Sequence, residues 1–139
     1  MENDTKDVGF IHDFIFYIQN AIALEHHCIE SFSITKDNLQ LEIAEKVRRQ
    51  RSKKMYQFVK ESKNQIYCES KHLMACAQAL KELGNRYIEK KEQKLAEECF
   101  NESAEMEAIF ILLNDLDNKN KKQTFLNSVK HKLSGDKNV

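Results

Sequence analysis

Metal-ligating side chains are concentrated in the middle of this chain, at Cys68, Glu69, His72 and Cys76. Thiolates and imidazole nitrogens are ligands that zinc and copper(I) accept. The four-residue steps from Cys68 to His72 and on to Cys76 place all three on one face of a helix. They would spread over about 12 Å of helix axis, so one ion needs two of them and a ligand from another helix.

Glu25 is the second candidate for chemistry, because it stands in a stripe that is otherwise apolar. The stripe follows the alternating three- and four-residue steps of one helix face and consists of Ile11, Phe14, Ile18, Ala21, Glu25, Cys28 and Phe32. A buried carboxylate requires a partner charge, a hydrogen-bond network or a metal ion. Arg51, Glu69 and Glu102 interrupt later stripes in the same way.

These residues allow two interpretations. In the first, a transition metal (zinc, copper or iron) is bound by ligands drawn from Glu25, His26, Cys68, Glu69, His72, Cys76 and Glu102. In the second, a buried ion network of Glu25, Arg51, Glu69 and Glu102 sets the register of the helices. Glu69 and His72 have the Glu-x2-His spacing of ferritin-like di-iron bundles, but a second such pair is missing. Arg51 also carries a fixed positive charge that repels a metal, so we favour the ion network.

The elements that position these residues are predicted to be long helices. The 139 residues include no Pro and only three Gly. Polar breaks at 35–38, 61–64 and 89–94 divide residues 1–116 into four helices, although the second break is weak enough that helices 2 and 3 could be continuous. Asp37 is expected to cap helix 2. Short connections favour an all-α, antiparallel, up-and-down four-helix bundle, followed at 117–139 by a linker and a short C-terminal helix.

One stretch resembles a known repeat. Leu80-x2-Leu83-Gly84-x2-Tyr87, followed by Ala96-x3-Phe100, is similar to a single tetratricopeptide unit, with Leu80 in place of the usual Trp and without the closing Pro. The resemblance covers about residues 80–104. It implies a close-packed pair of helices in which Gly84 and Ala96 lie where the two backbones approach each other.

Charge and hydropathy exclude several classes of protein. The 22 basic and 22 acidic residues cancel. A basic stretch at 46–63 contains few aromatic residues and no nucleic-acid motif, so we expect the basic helix 2 and the acidic helix 4 (89–107) to pair with each other or between copies. The longest apolar run, Phe14 to Ile18, is too short to span a bilayer. Without an export signal, the four cysteines are expected to be reduced thiols in the cytoplasm.

The functional prediction depends on which motifs the sequence carries. The chain carries no glycine-rich phosphate loop, nucleophile elbow or His-Glu-x2-His motif. We therefore expect a non-enzymatic helical scaffold or protein-interaction bundle, with a metal- or small-ligand-binding bundle as the alternative. Helix 1 has more apolar surface than one stripe requires, and this surplus should meet either the C-terminal helix or a second copy. Because the C-terminal helix offers few apolar residues, we predict a homodimer through helix 1. The additional apolar residues are Phe10, Ile15, Phe16, Tyr17, Ile22 and Ala23.

Overall fold

The protein is all-α. The structure is a computed structural model that describes residues 8–59 and 65–116. Within these ranges it contains four helices and no strands: α1 (Val8–Thr35), α2 (Asn38–Phe58), α3 (Ile66–Glu89) and α4 (Gln93–Leu113). The fold class is thus as predicted. The expected C-terminal helix within 117–139 lies outside the described residues.

The helices pack as two hairpins. In the first hairpin α1 packs along α2, and in the second α3 packs along α4. A contact between α1 and α3 joins the two hairpins. α2 and α3 are separate helices, because Val59 at the end of α2 adopts an extended conformation. The basic α2 and the acidic α4 do not form an extensive contact in the described structure. Within residues 8–59 and 65–116, the two stretches of opposite charge therefore do not pair extensively inside one chain.

Both hairpin turns are short, and each contains one residue other than glycine in the left-handed backbone conformation. Lys36 follows α1 with φ 58°, and Lys91 follows α3 with φ 61°. Asp37 caps α2 as predicted, since its side chain accepts a hydrogen bond from the Leu39 N–H at 3.0 Å. After α3, the N–H groups of Lys91 and Glu92 donate to carbonyl oxygens in the last turn, which satisfies the end of that helix.

The core lies at the end of the bundle where the two hairpins meet. Ile18, Met55, Met74 and Phe110 are fully buried, one from each helix. They belong to a cluster with Ile11, Phe14, Ile15, Val59 and Leu116. The antiparallel order explains this position, because it brings the start of α1 and α3 to the same end as the finish of α2 and α4. At the opposite end, apolar side chains on both hairpins remain exposed, among them Ile29, Ile34, Leu39, Ile88 and Leu95.

Gly84 and Ala96 are both buried in the α3–α4 hairpin. A Cβ added to Gly84 would lie 2.8 Å from Cδ1 of Phe100, well inside van der Waals contact. The ring of Phe100 therefore packs directly against the backbone of α3. A larger residue at position 84 would therefore require the Phe100 ring to move.

Gly84→Ala tests this packing. The added methyl group must displace the Phe100 ring, and such overpacking costs about 1–3 kcal/mol of stability. Alanine is about 1 kcal/mol more favourable than glycine in a helix. Gly84→Ala should therefore lower the stability or leave it unchanged. In a Phe100→Ala background the clash is absent, so the same change should raise stability. Urea denaturation of the four variants in this cycle measures the coupling. Equal effects of Gly84→Ala in both backgrounds would show that the ring does not restrict this position.

Candidate interaction surface and polar interior

The interface between α1 and α2 contains a buried ion pair. Arg51 Nε donates to Glu25 Oε2 at 2.6 Å, and Arg51 Nη2 donates to Glu25 Oε1 at 3.1 Å. The side chains are only 6% and 13% exposed. Two parallel charge-assisted hydrogen bonds fix both the distance and the orientation of the partners. Glu25, the unexpected charge in the stripe of α1, thus has its partner on the neighbouring helix.

The surroundings of Arg51 keep it charged. Burial alone would lower the pKa of Arg51. The hydrogen bonds and negative charge of Glu25 raise this pKa by more than burial lowers it, and Tyr67 adds a smaller contribution. As a result, the pKa of Arg51 lies above its usual value. Nη1 points at Met55 Sδ, 3.4 Å away. The Tyr67 hydroxyl donates to Ser52 Oγ at 2.9 Å, so α3 also reaches this region.

The ion network does not extend to the other predicted members. Glu69 is exposed on α3 and Glu102 is half-buried on α4. The prediction that Glu69 belongs to a buried layer is wrong, because the buried face of α3 runs instead through Ser70, Met74 and Ala77. Glu102 lies beside Cys99, where burial raises the pKa of the thiol and the charges of Glu102 and Glu98 add to the effect.

The predicted metal ligands are distributed over separate surfaces. Cys68, Glu69, His72 and Cys76 are exposed on α3, whereas Glu25 is paired with Arg51 on the other hairpin. His26 is exposed, with Nε2 3.1 Å from Glu30 Oε1 on the next turn of α1. Within residues 8–59 and 65–116, no three His, Cys, Asp or Glu side chains converge so as to hold a metal ion.

A second polar cluster joins the two hairpins. Lys81 Nζ donates to Gln19 Oε1 at 2.8 Å and to Glu107 Oε1 at 2.6 Å, and Gln19 Nε2 donates to the same Glu107 oxygen at 2.9 Å. Gln19 is fully buried, whereas Lys81 is 39% and Glu107 24% exposed at the side chain. One residue each from α1, α3 and α4 thus forms a closed hydrogen-bond network.

Sequence reasoning missed this cluster, although the pattern contains a signal for it. Gln19 lies four residues after Ile15 and three before Ile22, so it interrupts a second apolar stripe of α1 as Glu25 interrupts the first. That second stripe faces α3 and α4. It explains why Ile15 is buried and Ile22 half-buried within a single chain. The prediction that both residues are surplus surface for a partner is therefore wrong.

Other apolar side chains of α1 do remain exposed. Phe16 is 62% and Ile34 84% exposed, and Phe10, Tyr17 and Leu24 are also exposed.

None of the described helices is long and apolar enough to cross a membrane. Comparisons of the chain with protein-family models, with curated proteins and with solved structures found no match.

The ion pair can be tested by removing one partner and then both. Arg51→Met should destabilise the fold by about 3 kcal/mol, because it leaves the Glu25 carboxylate buried without a counter-charge. Adding Glu25→Leu should restore most of that loss. Arg49→Met is the matched control, since Arg49 is an exposed arginine of the same helix and should matter little. Thermal and urea unfolding of the wild type, Arg51→Met, Glu25→Leu, the double variant and the Arg49→Met control measure the coupling. Additive effects of the two core substitutions would contradict the pairing.

The second cluster predicts a separate effect. Lys81→Met removes the donor to Gln19 Oε1, which is buried, and should destabilise by about 1–2 kcal/mol. Lys94→Met, at an exposed position on α4, is the control and should have little effect. Urea denaturation gives both values. If the two lysine variants are equally stable, the network makes no net contribution.

Proposed function

We propose that this protein is a non-enzymatic cytoplasmic scaffold that acts by binding polypeptides, and that it forms a homodimer through the outer face of α1. The observation that carries the proposal is the exposure of large apolar side chains along that face. Burial of apolar area is the main driving force for such association. In the single chain this part of α1 is not covered by the other described helices.

Three exposed residues of α1, together with the half-buried Ala23, lie along one line. Phe16, Ala23, His27 and Ile34 are separated by seven, four and seven residues, a spacing that keeps side chains on one helix face. From Phe16 to Ile34 the line is about 27 Å long. Ala23, near its middle, is a small side chain that permits close approach of a second helix.

The spacing is also symmetric about its centre. When two such helices pack antiparallel across a twofold axis, a residue that precedes the centre of the line faces the residue of the second copy that follows the centre by the same distance. Phe16 then lies opposite Ile34 of the second copy, and Ala23 opposite His27. A large apolar residue therefore meets a large apolar residue at both ends of the line. A twofold interface requires this kind of self-complementarity.

The polar interior supports a scaffold over a catalyst. Glu25 is neutralised by Arg51, and Gln19, Lys81 and Glu107 satisfy one another. These groups therefore fix helix packing and do not present unpaired charge to a substrate. Cys28 and Cys99 are buried, and all four cysteines are free thiols.

Light scattering tests the dimer. Phe16→Glu should convert the protein to a monomer at micromolar concentration, because it places a carboxylate in the apolar contact. Leu83→Glu is the matched control, since Leu83 is also an exposed apolar residue but lies on α3. It should leave the dimer intact.

Circular dichroism should show that both variants remain helical. A wild-type mass that stays monomeric as the concentration is raised would reject this interface. Equal loss of association in both variants would place the contact elsewhere.

A further inference from the structure

A second apolar surface lies on the side of α3 and α4. It is an open groove of about 620 Å³ with Leu73, Ile109 and Leu113 at its base. The exposed thiols of Cys68 and Cys76 also line it. We call this surface the α3–α4 groove. Apolar side chains collected in a groove favour an amphipathic segment as its occupant.

An acidic stripe continues from this groove along α4 towards the start of that helix. Glu98, Glu102 and Glu105 follow in steps of four and three residues and lie within about 60° of one another around the helix axis. Ile109 of the groove falls in the same sector. An occupant with apolar residues on one side and basic residues next to them would match both features.

The chain itself provides such a sequence directly after the described residues. Residues 117–139 contain apolar positions at Phe125, Leu126, Val129 and Leu133, a spacing that places them on one side of a helix. Their charges are mainly basic, with lysines at 119, 121, 122, 130, 132 and 137 against Asp117 and Asp136. The segment begins close to Leu113, which lines the end of the groove.

We propose that the C-terminal segment, residues 117–139, docks in the α3–α4 groove with Phe125, Leu126 and Val129 towards its base. Residues 117–123 can extend over at most about 23 Å, enough for the chain to turn back along α4. The docked lysines then lie beside the acidic stripe. Because the segment is tethered to α4, its effective concentration at the groove is high.

The groove between α1 and α2 is the alternative docking surface for the C-terminal segment, and its charge disfavours that segment. This groove has aromatic lining residues that include Phe14 and Phe58, but its charged lining residues are Lys53 and Lys54 against the single acidic residue Asp13, so its net charge is positive. A basic segment is repelled there and attracted to the acidic stripe of α4. The exposed face of α1 therefore remains available for a second copy, and this inference is independent of the proposed dimer.

The two groove thiols report directly on occupancy. In the full-length protein, alkylation by iodoacetamide, followed by mass spectrometry of each cysteine, should be slow at Cys68 and Cys76 while the segment is docked. Leu126→Asp combined with Val129→Asp should raise both rates by about tenfold or more, because the segment then leaves the groove. The buried Cys28 and Cys99 are internal references, and their continued protection shows that the bundle is folded.

Two matched controls separate docking from a general effect of charge. Asn127→Asp adds one negative charge, half that of the double variant, on the opposite side of the predicted helix and should leave the rates unchanged. Glu98→Lys should raise them, whereas Glu97→Lys, at an exposed position outside the acidic stripe, should not.

Equal reaction rates in the wild type and in Leu126→Asp/Val129→Asp would overturn the proposal. Protection that disappears on dilution would instead identify a second copy as the occupant. Neither result depends on Phe16, so this test and the dimer test can fail separately.

Discussion

The buried ion pair between Glu25 and Arg51 is the constraint on which the α1–α2 hairpin depends. Moving two charges out of water has a large desolvation cost, which only a close, well-oriented contact can offset. If α2 slid by one turn along α1, both charges would be buried without partners. An apolar interface would tolerate such a shift at much lower cost. The pair therefore contributes more to the choice of register than to net stability.

Gln19, Lys81 and Glu107 apply the same principle between the hairpins. Their network joins α1 to both helices of the second hairpin, and Gln19 is wholly buried within it. Together the two clusters define how α2 lies on α1 and how α3 and α4 approach it. The apolar residues around Ile18 and Phe110 supply the driving force for collapse, but such residues repack more easily and specify a single arrangement less strictly.

The fold was predictable from the sequence because the relevant signals are local. Absence of Pro, scarcity of Gly and the three polar breaks correctly indicate four helices, and Asp37 marks the start of α2. Pairing of Glu25 with Arg51 was also accessible, since each interrupts an apolar stripe. The position of Glu69 was not, because it depends on the rotation of α3. Two stripes compete on that helix: one runs through Glu69, Leu73, Cys76 and Leu80, and the other, which is the buried one, runs through Ser70, Met74 and Ala77. Gln19 was missed because α1 has two neighbours, and a single stripe was assigned to it.

The shared core at only one end of the bundle has a consequence for how the chain folds. Most helix contacts join neighbours in sequence, so each hairpin can form through short loop closures, which favours rapid folding. Joining the hairpins is the step that orders distant parts of the chain, and it involves chiefly the first half of α1. Substitutions at Ile15 or Gln19 would then slow folding if this contact forms in the transition state. Substitutions near Ile29 or Leu95 would act within one hairpin and leave that rate almost unchanged.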